Sequence, residues 1–340
     1  MKINTGTIHN YKKNSFMGGL NNKLLLKTLE FASENNAIVS AGLTLGLSTL
    51  VRPVAIMKAP KTDIGEKKIQ AAKSIASGII GFGFTSAIFT PISLALDKIS
   101  STPEQFLKNS TIKNLKGGTE TLAKSKPFNF LKQILKFSPE VVTVIPKAIL
   151  TAALIVPIAK MVFEKKKESP KIDYNNSMYS FGKKSNLTFK SGQKLSTKII
   201  SNIINNEKVQ KVAIKAQNTN FMQHAYSLKD AFATTCFAAA TSLNSSFDKD
   251  KKKSLIYNAG ISTGLTISGA YITEKLLRNP VEKFTKNFIK ANKYDKNLSK
   301  YLSGLKILEP LLILSSIYYV VIPVVSTFLS GRLTKISKTK

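Results

Sequence analysis

Three long stretches of this 340-residue chain contain no charged side chain. They cover residues 74–96, 254–273 and 310–331, which are 23, 20 and 22 residues long. An α-helix rises about 1.5 Å per residue, so roughly 20 residues cross the hydrocarbon core of a bilayer. All three stretches are therefore long enough to span a membrane, and 310–331 is apolar on every side, as expected of a helix in lipid or in a large core.

Three further stretches are apolar but weaker candidates: residues 35–57, 141–163 and 231–247. Arg52 interrupts the first, and Lys147 and Lys160 lie in the second. Lys160 is close enough to the end of its stretch to extend its ammonium group to the interface, whereas Lys147 is deeper. The third stretch is uncharged but diluted by Ser and Thr.

These patterns predict an all-α, polytopic membrane protein with five or six transmembrane helices and basic amphipathic helices along the interface. The alternative is a soluble helical protein whose core helices are buried in protein. Runs of 18 or more uncharged apolar residues favour the membrane interpretation. We expect the protein in the cell membrane.

The net charge of +32 coexists with 43% hydrophobic residues, which argues against disorder as the dominant state. One Cys excludes a disulfide scaffold and a cysteine-cluster metal site. Only two His are present, and the motifs of common hydrolases and nucleotide-binding enzymes are absent. We therefore expect a protein that is not an enzyme and that binds no cofactor or metal.

The charge pattern divides the chain into five regions. They are a basic N-terminal segment (1–34), a first hydrophobic half (35–163), a basic polar loop (164–230), a second hydrophobic half (231–331) and a basic tail (332–340). In the polar loop, residues 208–216 place apolar side chains on one face and lysines on the other, which predicts a basic amphipathic helix.

The two hydrophobic halves share a pattern that suggests a three-plus-three internal repeat. Pro103 and Pro280 each follow the second stretch of a half and are preceded by capping residues, Thr102 and Asn279. An odd number of spans in each repeat would make the halves inverted. Chance recurrence in a lysine-rich chain is the alternative.

Charged residues inside membrane segments are functional candidates, because they are costly to place there. The candidates are Arg52, Lys147, Lys160 and Glu309. The alternative for those near helix ends is an interfacial anchor. No carboxylate lies in the middle of a stretch, which weakens the case for proton- or sodium-coupled transport.

Small residues at four-residue spacing predict helix-packing faces. The candidates are Gly42, Gly46, Gly78, Gly260 and Gly264. Packing within the chain is the first interpretation, and a homo-oligomer face is the second.

Two kinds of partner are compatible with the basic surface, and a plain compositional bias towards lysine, which implies no partner, is the alternative. Membrane lipid, with anionic headgroups, ranks first, because juxtamembrane lysines are attracted to it. Nucleic acid is unlikely, since the chain has few Arg residues and lacks aromatic residues interleaved with its basic ones. The first functional hypothesis is a non-enzymatic, structural or transport-like membrane protein. The alternative is a membrane-anchored protein whose loop 164–230 and helix 281–306 hold an anionic partner.

Residues 52–62, which read RPVAIMKAPKT, resemble a segment of uncharacterised multi-pass membrane proteins from lysine-rich bacteria. The run from Phe288 through Pro310 is similar to the same group. The resemblance implies a multi-pass membrane class and carries no known activity, cofactor or site residue.

Overall fold

A computed structural model describes residues 22–34, 36–164, 189–219 and 221–339, and all regular structure in them is helical. Two short 3₁₀ turns, Pro103–Gln105 and Leu122–Lys124, join longer helices. Three helices contain a π-helical turn. In chain order the helices are α1 (Lys23–Glu34), α2 (Asn36–Gly46, π turn Leu47–Val51, Arg52–Met57), α3 (Ile64–Phe84, π turn Thr85–Phe89, Thr90–Ser101), α4 (Asn109–Lys116), α5 (Lys126–Val142), α6 (Val144–Phe163), α7 (Phe189–Ile204), α8 (Glu207–Ala216), α9 (Phe221–Leu243), α10 (Lys249–Ala291) and α11 (Leu298–Ser316, π turn Ile317–Val321, Ile322–Thr339).

Helices α2, α3, α6, α9, α10 and α11 form a bundle. Small side chains let α3 and α6 pack closely, and larger residues of α9 and α10 complete this core. Its buried members are Ala72, Ala76, Ala148, Ala152, Ile155, Ile158, Ala159, Phe237, Phe247, Leu255 and Ala259.

Buried polar side chains connect the bundle helices. Gln70 Nε2 of α3 donates to the Ser254 carbonyl of α10 at 3.0 Å. Asn258 Nδ2 of α10 lies 3.2 Å from Ser326 Oγ and 3.3 Å from Thr327 Oγ1 of α11. These polar groups face neighbouring helices, as is usual inside membrane bundles.

A second layer of helices, α4, α5, α7 and α8, surrounds the C-terminal end of α3. Its core contains apolar residues from all five helices, and Gln210 of α8 donates to Thr111 Oγ1 at 3.1 Å and to the Ile204 carbonyl at 3.0 Å. The predicted amphipathic helix of the polar loop is α8, which buries Ala213 against this layer. The buried core comprises Ala95, Leu96, Ile99, Leu107, Leu115, Leu122, Phe128, Phe130, Leu131, Leu135, Ile200, Ile204 and Ala213.

Each π turn ends two residues before a proline. The amides of Arg52, Thr90 and Ile322 donate to carbonyls five residues earlier, and Pro53, Pro91 and Pro323 follow. A proline ring clashes with the carbonyl four residues before it and has no N–H to donate. The wider turn moves that carbonyl away, so the helix continues through the proline.

Three helical stretches in the described residues are long and apolar enough to cross a membrane: Ile64–Ser101, Val144–Phe163 and Ile317–Ser337. This number is lower than the five or six that the sequence predicts. In α2 the apolar part, Gly42–Met57, is too short. α9 and the uncharged part of α10 are diluted by Ser, Thr, Asn and Gly, because these helices present polar residues such as Asn258 to their neighbours.

The proline pattern that suggested the internal repeat differs between the two halves. Pro103 opens a 3₁₀ turn whose Thr102 side chain makes no capping hydrogen bond. Pro280 lies inside α10, which continues to Ala291 as one helix of 43 residues. The prediction that both prolines start capped helices is therefore wrong, and the three-plus-three repeat stays a prediction without this support.

Helix α1 packs on α11 and on the end of α10. Leu29 and Ala32 are buried with Phe288, Tyr301 and Leu305. The approach is closest at Gly304, where an added Cβ would lie 2.9 Å from Leu29 Cα and nearer still to the Leu29 carbonyl. Only glycine permits this backbone contact.

Gly304→Ala is therefore expected to displace α1. The overlap is with backbone atoms, and overpacking of this kind costs about 1–3 kcal/mol. Trypsin should then cleave at Lys27 of α1 at least several-fold faster. Gly264→Ala is the control, because a Cβ there meets no described atom within 4 Å. Equal cleavage of both variants would contradict the close contact.

Candidate functional site: a cationic cavity in the helix bundle

A cavity of about 810 Å³ lies between α2, α3, α5, α6, α9 and α10. Its wall carries more cations than carboxylates, together with many hydroxyl groups. The cations are Arg52, Lys73, Lys136, Lys147 and Lys229, and the carboxylates are Glu140 and Asp230. The hydroxyl groups belong to Thr44, Ser77, Thr85, Thr90, Ser93, Thr151, Thr234, Ser262, Thr263 and Thr266.

Residues of α3 line the cavity over the length of a bilayer core. Six of these lining residues recur every four positions, and the first and last of the six are twenty residues apart. At about 1.5 Å per residue this distance is roughly 30 Å. The series is Lys73, Ser77, Gly81, Thr85, Phe89 and Ser93.

The two carboxylates of the cavity pair with one lysine. Lys229 Nζ lies 2.9 Å from Glu140 Oε2 and 3.3 Å from Asp230 Oδ1. Burial disfavours the charged form of Lys229, but Glu140 and Asp230 outweigh this effect, so the pKa of Lys229 is raised. In the described part of the chain, no carboxylate lies within ion-pairing distance of the other four cations.

Two of those four cations lie against aromatic rings. Lys147 Nζ is 5.3 Å from the centre of the Phe84 ring and 4.8 Å from that of Phe89; Phe84 precedes the π turn of α3, and Phe89 is its last residue. Lys73 Nζ is 4.5 Å from the centre of the Phe237 ring. Contacts of this type contribute about 0.5–2 kcal/mol each and leave the positive charge uncompensated.

A third cation, Lys136 of α5, lies in a desolvated position at the same cavity. Burial lowers its pKa, although the charge of Asp97 acts in the opposite direction. With five cations and two carboxylates in its wall, the cavity carries an excess of cationic side chains over carboxylates.

Arg52 directly follows the π turn of α2 and points into the cavity. Its Nη2 lies 3.3 Å from Ser262 Oγ of α10, and its Nε is buried without a hydrogen-bond partner among the described residues. A buried donor without a partner costs about 1–3 kcal/mol, more when the group is charged. Arg52 and Lys73 also repel each other.

Contacts between α2 and α3 hold Arg52 in place. The Ser48 carbonyl lies five residues before Pro53, which has no N–H to donate to it. Instead, Ser74 Oγ of α3 donates a hydrogen bond to this carbonyl at 2.6 Å. Gly78 makes this approach possible: an added Cβ would lie 3.0 Å from Ser48 Cβ and 3.1 Å from Thr49 Cγ2, and would overlap Ser48 Oγ.

The structure brings together two of the four predicted charges. Arg52 and Lys147 both line the cavity. Lys160 is exposed on the outside of the bundle, near the end of α6. Glu309 belongs to α11, and its side chain lies outside the described part of the structure.

The five candidate glycines also divide. Gly78 is a close-packing site, as predicted. At the other four an added Cβ would meet no described atom within 4 Å: Gly42, Gly46, Gly260 and Gly264. Close packing at these four glycines stays a prediction that no described neighbour supports.

Sequence reasoning missed Lys73, Lys136, Glu140, Lys229 and Asp230. A signal for Lys73 was present, since it heads the four-residue series of small and polar side chains through an apolar helix. The others lie in α5 and α9, outside the apolar stretches, where a charge is unremarkable by sequence alone.

Within the described residues, no three His, Cys, Asp or Glu side chains are grouped as metal ligands. Cys236 is half-buried in α9 as a free thiol. The groups that converge on the cavity are cations and hydroxyls, which suit binding of an anion by charge and hydrogen bonds.

No protein-family model, no curated protein and no solved structure matches the chain. The cavity is therefore the basis for assigning a function.

Replacing Lys229 by Met is expected to lower stability in a pH-dependent way. Because the pKa of Lys229 is raised on folding, its ion pairs stabilise fully below the unfolded pKa of about 10.4 and weaken as pH rises through the folded value. The difference in unfolding temperature between wild type and Lys229→Met should shrink between about pH 10 and 12.

The control for this measurement is Lys124→Met, which removes an exposed pair with Glu120. Such pairs contribute about 0–1 kcal/mol, against about 1.5–3 kcal/mol for a partly buried charged hydrogen bond. A Lys229→Met effect no larger than that of the control would contradict the role given to the buried pair.

Proposed function

We propose that the protein is a non-enzymatic, transport-like membrane protein that carries a small anion through the cavity beside α3. The observation that carries this proposal is the row of residues by which α3 lines the cavity. Except at Phe89, this row consists of cationic, hydroxyl and small side chains, and it extends over residues 73–93 of a helix that is otherwise apolar enough to span a bilayer.

The charge of the cavity supports an anion rather than a cation. Uncompensated lysine and arginine side chains in a site of low dielectric repel cations strongly, and anion pores use such side chains for selection. Hydroxyl groups can replace part of the hydration shell that the anion loses. A purely structural role would not require cations that the protein leaves without carboxylate partners.

The finer arrangement of the membrane helices is also a proposal. Segments of α2, α9 and α10 line the same cavity as the candidate spans, which supports placing them in the bilayer too, in a bundle of five or six crossings in the cell membrane. Reporter fusions at residues 120 and 250 test it: in a six-span arrangement both report one side of the membrane, and opposite sides would contradict this count.

The experiment for the main proposal is anion uptake into vesicles containing the purified full chain. Vesicles preloaded with unlabelled chloride or phosphate should take up the same radiolabelled anion at least tenfold faster than empty vesicles. Radiolabelled rubidium should enter no faster than in empty vesicles. Uptake of rubidium with the anions, or of none of the three ions, would contradict the proposal.

A second candidate function, binding of anionic lipid, is favoured by one surface. Leu195, Ile199 and Ile203 form an exposed apolar stripe along α7, and Leu195 is 63% exposed. Lys198 of α7 is exposed, and so are three lysines of the next helix, α8: Lys208, Lys211 and Lys215. An apolar stripe flanked by lysines is typical of a helix that lies in the interface of an anionic membrane.

Since the chain contains no Trp, one introduced Trp can test this surface. The fluorescence of Ile199→Trp should be quenched by brominated acyl chains, and more strongly when the vesicles contain anionic phosphatidylglycerol. Tyr294→Trp, at a position that is 93% exposed in the α10–α11 connection, is the unquenched control. Equal quenching at both positions would contradict lipid contact by α7.

A further inference from the structure

We infer that Arg52, with Lys73 and Ser262, forms a binding site for an oxyanion group, either a phosphate or a carboxylate, within the cavity. This inference specifies the chemistry of the solute and therefore rests on the proposed function.

Arg52 has a hydrogen-bond donor that is not used within the described residues. A guanidinium group has five N–H donors and no acceptor. Nη2 contacts Ser262 Oγ at 3.3 Å, whereas the buried Nε has no partner among the described residues. The edge of the guanidinium that contains Nε also contains Nη2, and such a pair of N–H groups can bind two oxygen atoms of one group; Nε is available for this, and Nη2 also contacts Ser262.

The charge of Arg52 is not balanced by a carboxylate of the cavity. The cavity carboxylates, Glu140 and Asp230, are already paired with Lys229. Lys73 contacts the Phe237 ring and, when protonated, repels Arg52. An exogenous anion would relieve the repulsion between Arg52 and Lys73 and give Nε an acceptor in one event, which no described side chain does.

The arrangement of the guanidinium N–H groups favours an oxyanion over a halide. A halide needs no fork of donors, whereas a planar carboxylate or a tetrahedral phosphate matches the spacing of two guanidinium N–H groups. Ser262 supplies a hydroxyl beside the fork, and Ser77 of α3 lines the same cavity. A volume of about 810 Å³ leaves space for the organic part of a small anionic metabolite beyond the oxyanion.

Binding is measured with the full chain in detergent, by calorimetry at constant ionic strength, with phosphate, succinate and chloride as separate titrants. Saturable binding of phosphate or succinate, at least tenfold tighter than that of chloride, is expected; whichever binds more tightly identifies the oxyanion class. Equal affinity for all three anions, or binding of none, would overturn the inference.

Two variants separate recognition by the guanidinium from simple attraction by charge. Arg52→Lys keeps the charge and loses the fork, so it should weaken oxyanion binding at least tenfold with little change for chloride. Ser262→Ala, a smaller change that tests the site if Arg52 variants unfold, should weaken it several-fold. Lys160→Gln is the control and should bind as wild type does.

The outcomes also distinguish this inference from the proposed function. Vesicle uptake of chloride without tighter binding of phosphate or succinate would overturn the oxyanion site alone. Tight oxyanion binding without uptake of any anion would overturn the transport proposal and leave the site supported. Wild-type affinity in Arg52→Lys would overturn the assignment to Arg52.

Discussion

Replacing Arg52 by Glu is expected to reduce anion uptake into vesicles at least tenfold. Arg52 is a cation of the cavity that no carboxylate neutralises, and a glutamate at this position would pair with Lys73 and remove the positive potential. A change of about 1.4 kcal/mol in the free energy barrier for the anion corresponds to a tenfold change in the rate of uptake. Reversing the charge of a half-buried side chain is expected to change this barrier by more than that.

Lys160→Glu is the matched control for this variant. Lys160 is also a cation of a candidate membrane helix, but it is exposed on the outer surface of α6. The same change of charge there should leave anion uptake within twofold of wild type. Similar losses in both variants would show that the net charge of the protein, rather than the cavity, governs uptake.

Gly78→Ala is expected to lower the apparent unfolding temperature by several degrees. Alanine favours helix over glycine by about 1 kcal/mol, but the added Cβ would overlap Ser48 Oγ and approach Thr49. Overpacking of α2 against α3 costs about 1–3 kcal/mol and displaces the π turn that positions Arg52. Anion uptake should therefore fall together with stability.

Gly81→Ala, one turn further along α3, is the control in the same helix. An added Cβ at Gly81 meets no described atom within 4 Å, so the propensity of alanine should leave stability unchanged or raise it by up to about 1 kcal/mol. A Gly78→Ala variant as stable as Gly81→Ala would contradict the close approach of the two helices.

Much of the architecture follows from local patterns in the sequence. The all-helical fold is confirmed for the described residues, and 74–96, 141–163 and 310–331 each overlap a helix that is long and apolar enough to span a membrane. These patterns are reliable because a long uncharged apolar run has few alternatives to a buried or membrane helix.

The absence of charge alone, however, overestimates the number of spanning helices. Residues 254–273 of α10 are uncharged, yet Asn258 and its Ser and Thr neighbours make the helix too polar to qualify. Asn258 donates to Ser326 and Thr327 of α11 inside the bundle. The sequence alone does not say which face of α10 meets protein.

The candidate site was predictable in part. A charge inside an apolar stretch, as at Arg52 and Lys147, is informative by itself because burying it is costly. Lys136 and Lys229 lie in amphipathic segments, and only the packing of α5 and α9 brings them to the cavity. The glycine spacing was ambiguous for a similar reason, since Gly78 and Gly81 differ only in what lies opposite them.

The central claim is a water-accessible, cationic path along α3 inside a membrane. Cysteine accessibility tests it most directly, because Cys236 is the single cysteine and can be replaced by Ser. Single cysteines at Ser77 and Ser93 sample the lining face. Cysteines at Ile79 and Leu94, which are 47% and 41% exposed on the outside of the helix, are the lipid-facing controls.

In intact membranes, an anionic methanethiosulfonate should modify Ser77→Cys and Ser93→Cys at least tenfold faster than Ile79→Cys and Leu94→Cys. It should also react with the lining cysteines faster than a cationic reagent of similar size does, and phosphate or succinate should slow that reaction. Equal modification of the lining and outer cysteines would contradict a path enclosed by membrane helices, and a preference for the cationic reagent would contradict its anionic selectivity.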